Sequence, residues 1–419
     1  MLYPLKITDT IMKTLLLVML LCMLTIPVSV LSAEQEQSPA GTSVADLPLI
    51  ATFEGGERYQ AGIYPVIVLS GSYREMGCQY GGLMKPELNE EYSFLMDSLT
   101  NQGITREEII EEAGQVPQFY PQRIKEIFAG MAETTGLTTD DIAFLYYGPI
   151  FLLFATPNQE AVPASCSYLA AWGDYTKGGS PILSRNWDLG DSILPLTEWY
   201  VLAIYRPNDG SNIIATWSPA GVRPETFMNN KGLFIADDNC GREDDAPETR
   251  PEFITEYYRF MFDYSDLNAL EAAINGTIPD TGWIVDVAGP DEAFVYEKST
   301  NRTVKRTGDG VIAAANHFVD PSWNLPEPPE HSLSRYSNLL RQAEEAKGMI
   351  DAEKMMEIRD VCIEDGGSKF CHSDLGGGKY SSNHQVVFEP ATLTLWMNVM
   401  DKDWQKVELP SLFSNETLK

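Results

Sequence analysis

Cys166 opens the apolar run Ser165-Cys166-Ser167-Tyr168-Leu169-Ala170-Ala171-Trp172, and Arg185-Asn186-Trp187-Asp188 closes the next, after a turn at Lys177-Gly178-Gly179. Paired as a hairpin, the two runs gather a thiol, a guanidinium and a carboxylate at one end of a sheet. A thiol is the best side-chain nucleophile near neutral pH, because even a small thiolate fraction reacts. A neighbouring cation favours that thiolate, and a carboxylate can orient the base that takes its proton. The chemistry such a group suits is attack on a carbonyl carbon through a thioester.

The elements that must position these residues fall into two regions. Residues 48–165 start with an extended apolar run, Gly62 to Ser70, and then turn helical. Tyr73 to Leu99 has apolar residues at helical spacing. Thr105 with Glu108 is a capping-box signal, and Thr138 with Asp141 marks another helix start. Pro121 to Thr135 begins with proline in the first turn and stops before Gly136. This segment is expected to be mainly helical. Residues 166–419 read as sheet-rich. Trp199–Tyr205 and Ile213–Trp217 flank Pro207-Asn208-Asp209-Gly210, a hairpin signal. Further strands are expected at Gly232–Ala236, Trp283–Val287, Ala293–Tyr296, Ile312–Ala315, Gln385–Phe388 and Thr392–Asn398. Helices are expected at Pro251–Tyr264, Leu267–Ile274, Arg335–Lys347 and Ala352–Asp360. Strand runs broken by helix pairs imply a layered α+β domain.

Ahead of both regions, Lys13, the apolar run Leu15–Leu24, and Pro27, Ser29, Ser32 and Ala33 follow the plan of a secretory signal. Residues 1–33 are expected to be that signal, with an uncleaved anchor as the alternative, and residues 34–47 a flexible tether. The protein is therefore expected outside the cytoplasm. The chain has 419 residues and a net charge of −30, from 60 acidic against 30 basic residues. Such a surface repels nucleic acid and anionic membranes, so neither is an expected partner. No local acidic cluster in the sequence marks a site for cationic substrates. Removing Cys22 with the signal leaves Cys78, Cys166, Cys240, Cys362 and Cys371, an odd number. Cys362 and Cys371 lie close together across Gly366-Gly367, which makes a disulfide sterically easy. Cys78 with Cys240 is the other candidate pair.

These residues carry a resemblance. The second region is similar to the N-terminal nucleophile (Ntn) hydrolases of the choloylglycine hydrolase and penicillin V acylase type. With the helical segment ahead of the cysteine, the whole resembles the acyl-CoA:6-aminopenicillanic acid acyltransferase family, peptidase family C45. Cys166 matches the nucleophile. Arg185-Asn186-Trp187-Asp188 resembles the Arg-Asn-x-Asp motif. Met228-Asn229-Asn230-Lys231-Gly232-Leu233, followed by Asn239, resembles the Met-Asn-Glu-Lys-Gly-Leu stretch and its oxyanion asparagine. Asn316 lies where a second active-site asparagine is placed. Ser334-Arg335 resembles the pair that opens a helix and sends its arginine to the site. Gly71-Ser72-Tyr73-Arg74-Glu75-Met76-Gly77 resembles the glycine-rich helix entry. Two departures stand out. Asn230 replaces the more common Glu, and Asp237-Asp238 precede Asn239 where apolar residues are usual.

The resemblance implies a four-layer αββα sandwich (residues 166–419) preceded by a helical precursor segment (48–165). It implies cleavage between Ser165 and Cys166, after which the small chain stays bound to the large one. The freed α-amine of Cys166, with a reference pKa of ~7.7–8.0, suits a general base near neutral pH. Asn239, with Asn316, would donate hydrogen bonds to the tetrahedral oxyanion; losing one such donor costs about 3–4 kcal/mol of barrier. Arg185 would favour thiolate, Asp188 would orient the amine, and Arg335 would hold Asp188 or the substrate. The expected reaction is hydrolysis of a linear amide in an N-acylated small molecule, with no cofactor and no metal. Acyl transfer to an amine is one alternative, and a non-catalytic secreted binding protein on the same scaffold is another. A papain-like reading would need a Cys–His pair, and a zinc reading would use Cys362, Cys371, His372 and His384; neither has a supporting sequence pattern.

Overall fold

The computed structural model describes residues 47–115, 120–155, 165–240, 253–375 and 378–414. The expected signal and nearly all of the tether lie outside these residues.

The chain begins with three strands, β1 (Leu49–Phe53), β2 (Gly56–Ala61) and β3 (Tyr64–Gly71). Five helices follow: α1 (Tyr73–Leu83), α2 (Lys85–Thr100), α3 (Arg106–Gln115), α4 (Gln122–Thr135) and α5 (Thr139–Ala155). Their starts are set as the sequence implies. Ser72 and Glu75 form a reciprocal capping box on α1. Thr105 with Glu108, and Thr138 with Asp141, do the same on α3 and α5. Gly136, at φ +89°, ends α4 in the left-handed region that favours glycine. Helices α1 and α4 cross through glycines. A Cβ on Gly77 would overlap the Ile127 carbonyl, and one on Gly130 would overlap the Arg74 carbonyl.

The rest of the chain supplies β4 (Ser165–Ala171), β5 (Ile182–Gly190), β6 (Tyr200–Pro207), β7 (Ile214–Pro219), β8 (Thr226–Asn229) and β9 (Phe234–Asn239). Helices α6 (Glu256–Asp263) and α7 (Leu267–Gly276) lead to β10 (Trp283–Ala288), β11 (Ala293–Lys298), β12 (Thr303–Thr307) and β13 (Val311–Ala314). Helices α8 (Glu330–Glu345) and α9 (Ala352–Asp360) precede β14 (Cys371–Asp374), β15 (Lys379–Glu389), β16 (Thr394–Val399) and β17 (Gln405–Glu408).

Among the described residues the strands form two sheets. One has ten strands in the order β1-β2-β3-β6-β7-β8-β9-β10-β11-β12. The other has seven, in the order β13-β4-β5-β15-β16-β17, with β14 beside β15. The β3–β6 pair is parallel, with Val66 opposite Leu202. A parallel pair needs a long crossover, and here the helices and the β4–β5 hairpin lie between its strands. The segment before Cys166 is thus mainly helical, but it also builds one end of the larger sheet.

The sheets face each other. Tyr168 of β4 stacks on Phe234 of β9, and Phe234 on Phe388 of β15. Helices α8 and α9 cover the outside of the smaller sheet through Leu339, Ala343, Met355 and Ile358 against Leu169, Ile182 and Val387. On the outside of the larger sheet, Tyr257 and Tyr258 of α6 pack edge-on against Phe227. The order of layers is helix, sheet, sheet, helix. Among the described residues no helix is long and apolar enough to cross a membrane.

Cys362 and Cys371 form a disulfide, with Cα atoms 5.8 Å apart. That removes both sulfurs from the alternative zinc set. The expected Cys78–Cys240 pair does not form. Cys78 lies buried on α1 with its thiol against Glu133 of α4, whereas Cys240 follows β9 in the larger sheet.

Candidate active site

Strands β4 and β5 pair antiparallel as expected, with Ser165 opposite Asp188, Cys166 opposite Trp187 and Tyr168 opposite Arg185. Side chains alternate along a strand. Cys166, Tyr168, Arg185 and Trp187 therefore share the face turned toward the larger sheet. Ser165, Ser167, Asn186 and Asp188 share the face turned toward α8 and α9. This divides the expected trio. The thiol and guanidinium meet directly, while Asp188 approaches Cys166 from the side of its main chain.

On the inner face, Arg185 Nη2 donates to Cys166 Sγ at 3.3 Å. The same nitrogen reaches the Asp237 carbonyl at 2.6 Å and Glu225 Oε2 at 3.0 Å, and Nη1 reaches Thr226 Oγ1 at 3.2 Å. Arg185 is fully buried. Burial opposes its charge, but the acidic groups around it outweigh that and hold it protonated. Glu225 also pairs with Arg223 at 3.0 Å.

On the helix side, the main chain of Cys166 is gripped at both ends. Its N–H donates to Asn316 Oδ1 at 3.0 Å, and its carbonyl accepts from Arg335 Nη1 at 2.7 Å. Arg335 also donates to Asn316 Oδ1 at 2.5 Å and pairs with Asp188 Oδ2 at 3.3 Å. Asn316 Nδ2 donates to the Asn239 carbonyl at 2.6 Å. Asp188 takes a further hydrogen bond from Ser382 of β15. Burial pushes the Asp188 carboxyl up from 3.8 to about 6, against the pull of Arg335, Ser382 and Arg359. Arg359 of α9 braces the neighbouring strand positions at Ser167 and Asn186.

Cys166, Arg185, Asp188, Asn239, Asn316 and Arg335 therefore meet in one network. The two expected oxyanion asparagines bond each other. Asn316 spends its amide NH2 on Asn239 and its carbonyl on Cys166 and Arg335, so it positions the main chain of the nucleophile. Asn239 joins the network through its own carbonyl. Asn229 is a turn residue: it accepts from the N–H groups of Lys231 and Leu233 and donates to the Met261 and Tyr264 carbonyls.

Glu225, Thr226, Arg359 and Ser382 join the site without a motif to mark them. Arg223-Pro-Glu225-Thr226 just before a strand carried a faint signal, as charges there must be paired once buried.

Cys166 is 1% exposed, and burial raises its pKa well above 9.0 despite Arg185. The thiol is protonated in this state and needs a base. None of the histidines supplies it. His384 bonds Tyr200 at 2.8 Å and His317 bonds Ser332 at 2.7 Å, while His331 lies beside Arg335 and His372 beside Asp191. This replaces the papain-like arrangement with one in which the base must come from elsewhere.

Similar chains occur among solved structures. A variant of conjugated bile acid hydrolase from Clostridium perfringens matches with a TM-score of 0.43 and 12% identity, over 60% of this chain and 95% of that one. Penicillin V acylase from Agrobacterium tumefaciens matches with a TM-score of 0.40 and 10% identity, over 57% and 85%. Protein dcd1B of Dictyostelium discoideum is 26% identical over 199 residues, 40% of this chain and 38% of that protein. The match thus spans well under half the length of that relative. No family model matches the chain.

Proposed function

We propose that the protein is a self-processing cysteine amidase that cleaves a linear amide bond of an N-acylated small molecule outside the cytoplasm. The observation that carries the reading is the double grip on Cys166. Arg185 holds its thiol, while Asn316 and Arg335 hold its peptide N–H and carbonyl. A merely structural buried cysteine has no use for a buried cation at its sulfur. Nor does it need one group fixing the nitrogen that cleavage would turn into an amine and another fixing its carbonyl.

In the first step the Cys166 sulfur attacks the Ser165 carbonyl carbon. The C–N bond breaks, the nitrogen takes the thiol proton, and a thioester joins Ser165 to the sulfur. Water then hydrolyses it, leaving a carboxylate on Ser165 and a free α-amine and thiol on Cys166. In turnover the α-amine takes the thiol proton and the sulfur attacks the substrate carbonyl. The amine passes that proton to the departing nitrogen, and water releases the acid. Asn316 and Asp188, the latter through Arg335, hold the amine in place. The Asn239 side chain is proposed as the oxyanion donor.

Intact mass and N-terminal sequencing of the purified protein test this. The expected result is a large fragment beginning Cys-Ser-Tyr-Leu, absent from Cys166→Ala, with amide hydrolysis in the wild type alone. Full maturation and activity of Cys166→Ala would sink the mechanism. An uncleaved, inactive wild type would favour the binding-protein reading.

A further inference from the structure

The inner face of the larger sheet carries two carboxylates opposite the nucleophile. Asp238 of β9 lies across from Ile284 of β10, and Asp286 lies across from Ala236. By strand alternation Ala236, Asp238, Ile284 and Asp286 share one face, with the two acids at diagonal positions. Phe234, two residues before Ala236, points from that face onto Tyr168, two residues after Cys166. Asp238 lies within electrostatic reach of Cys166 and both acids within reach of Tyr168, and burial raises both carboxyls, Asp238 to about 7.

Both acids are fully buried, and neither oxygen of either carboxylate receives a hydrogen bond from the described residues. None of the nearby arginines donates to either acid, although Arg185 Nε and Arg306 Nη1 are themselves buried without a partner among the described residues. Arg185 serves Thr226, Cys166, Glu225 and the Asp237 carbonyl. Arg335 serves Cys166, Asp188, Asn316 and His331. Arg359 serves Asn186, Ser368 and Ser167. A buried carboxylate without a donor is costly, and a protein that keeps two of them on one face beside a nucleophile has a use for them. The described residues hold no group of three ligating side chains fit for a metal ion. An organic cation needs only donors aimed at two acceptors, and its bonds to carboxylate are the strong, charge-assisted kind.

We propose that the substrate carries a cationic nitrogen, an ammonium or guanidinium, that seats between Asp238 and Asp286 while its amide carbon lies at Cys166. The assignment deepens the amidase reading and rests on it for the amide bond. It also gives a purpose to Asp238 in a stretch where apolar residues would pack more cheaply, and to Asp286, the lone acid in Trp283–Ala288.

The test compares n-butylguanidinium with its neutral isostere n-butylurea by calorimetry on the mature protein. The guanidinium should bind at least about tenfold more tightly, the factor one charge-assisted hydrogen bond supplies. Asp238→Asn and Asp286→Asn should each erase the difference. Equal binding of the two probes to the wild type overturns the proposal, and so does a preference that survives both substitutions. The same pair of end groups is then placed on one acyl amide. A cation preference in binding without cleavage of either amide would keep the cation site and defeat the amidase reading. Cleavage of both amides at equal kcat/KM, with equal probe binding, would keep the amidase and defeat the cation site.

Discussion

Cys166 is held in a state in which it cannot react by itself. Its thiol is buried and its pKa lies well above the ordinary value, so Arg185 alone does not make it a thiolate. In the proposed mechanism, reactivity toward substrate at neutral pH then depends on the α-amine that cleavage before Cys166 would free. Asp188 sets the lower acid limit of that arrangement. Its carboxyl is lifted to about 6, first by burial. It must be ionised to keep Arg335 paired and the amine oriented. Below its pKa the carboxyl is neutral and the pair is lost; above it the pair is intact. The rate of amide cleavage should therefore fall on the acid side in two limbs, an upper one where the α-amine base is protonated, near its reference value of ~7.7–8.0, and a lower one near pH 6 from Asp188. Asp188→Asn should abolish the lower limb, leave the upper one, and lower kcat on the order of 100-fold, the scale of one lost acid–base partner. A pH–rate profile spanning both limbs on both proteins checks this, and an unchanged lower limb in the variant would assign it to another group.

At the scale of elements, the hairpin β4–β5 puts the nucleophile and its cation on one face, and α8 brings Arg335 to the other. The helices before Cys166 are fixed in turn by the glycine crossing of α1 and α4. Gly77→Ala would drive a methyl into the Ile127 carbonyl, a backbone atom that cannot yield cheaply. The expected loss is about 1–3 kcal/mol, the usual cost of overpacking, read as a lowered midpoint in urea; an unchanged midpoint would mean the crossing can open. Much of this level was legible in the sequence. Capping boxes at Thr105 and Thr138, the stop at Gly136 and the helix over Ala352–Asp360 are local features whose cause lies within a few residues. The pairing of Cys166 with Arg185 was legible for the same reason, since a short hairpin joins them. What was missed depends on distant strands. The short strands β1, β12 and β17 lack an apolar alternation of their own and exist because a neighbour offers a ladder. Asp188 was expected at the same sheet end as Cys166 and Arg185, and the alternation along β5 turns it to the face opposite Arg185. The acids Asp238 and Asp286 could not be seen as a pair, because only the β9–β10 register brings them together.

At the scale of the whole molecule, cleavage before Cys166 would cut the chain but not the fold. The small chain would keep β1, β2 and β3, and β3 is paired along its length with β6 of the large chain, from Val66 opposite Leu202 to Gly71 opposite Pro207. Beyond that ladder, Gly221 donates to the Tyr80 hydroxyl and Arg223 to the Tyr146 carbonyl. Arg123 pairs with Asp263. Buried Leu69, Leu88 and Leu145 belong to the same apolar core as Leu202 and Trp217. An interface built from a continuous sheet and a shared core resembles a domain cut in half, and such interfaces are obligate. It is also insensitive to salt, because its strength is apolar burial and not the charge on a surface of net −30. The two fragments should therefore elute as one species in size exclusion at both low and ~1 M salt and separate only in denaturant. Separation of the fragments by salt alone would show that the precursor segment is held electrostatically and that the ten-stranded sheet does not survive processing.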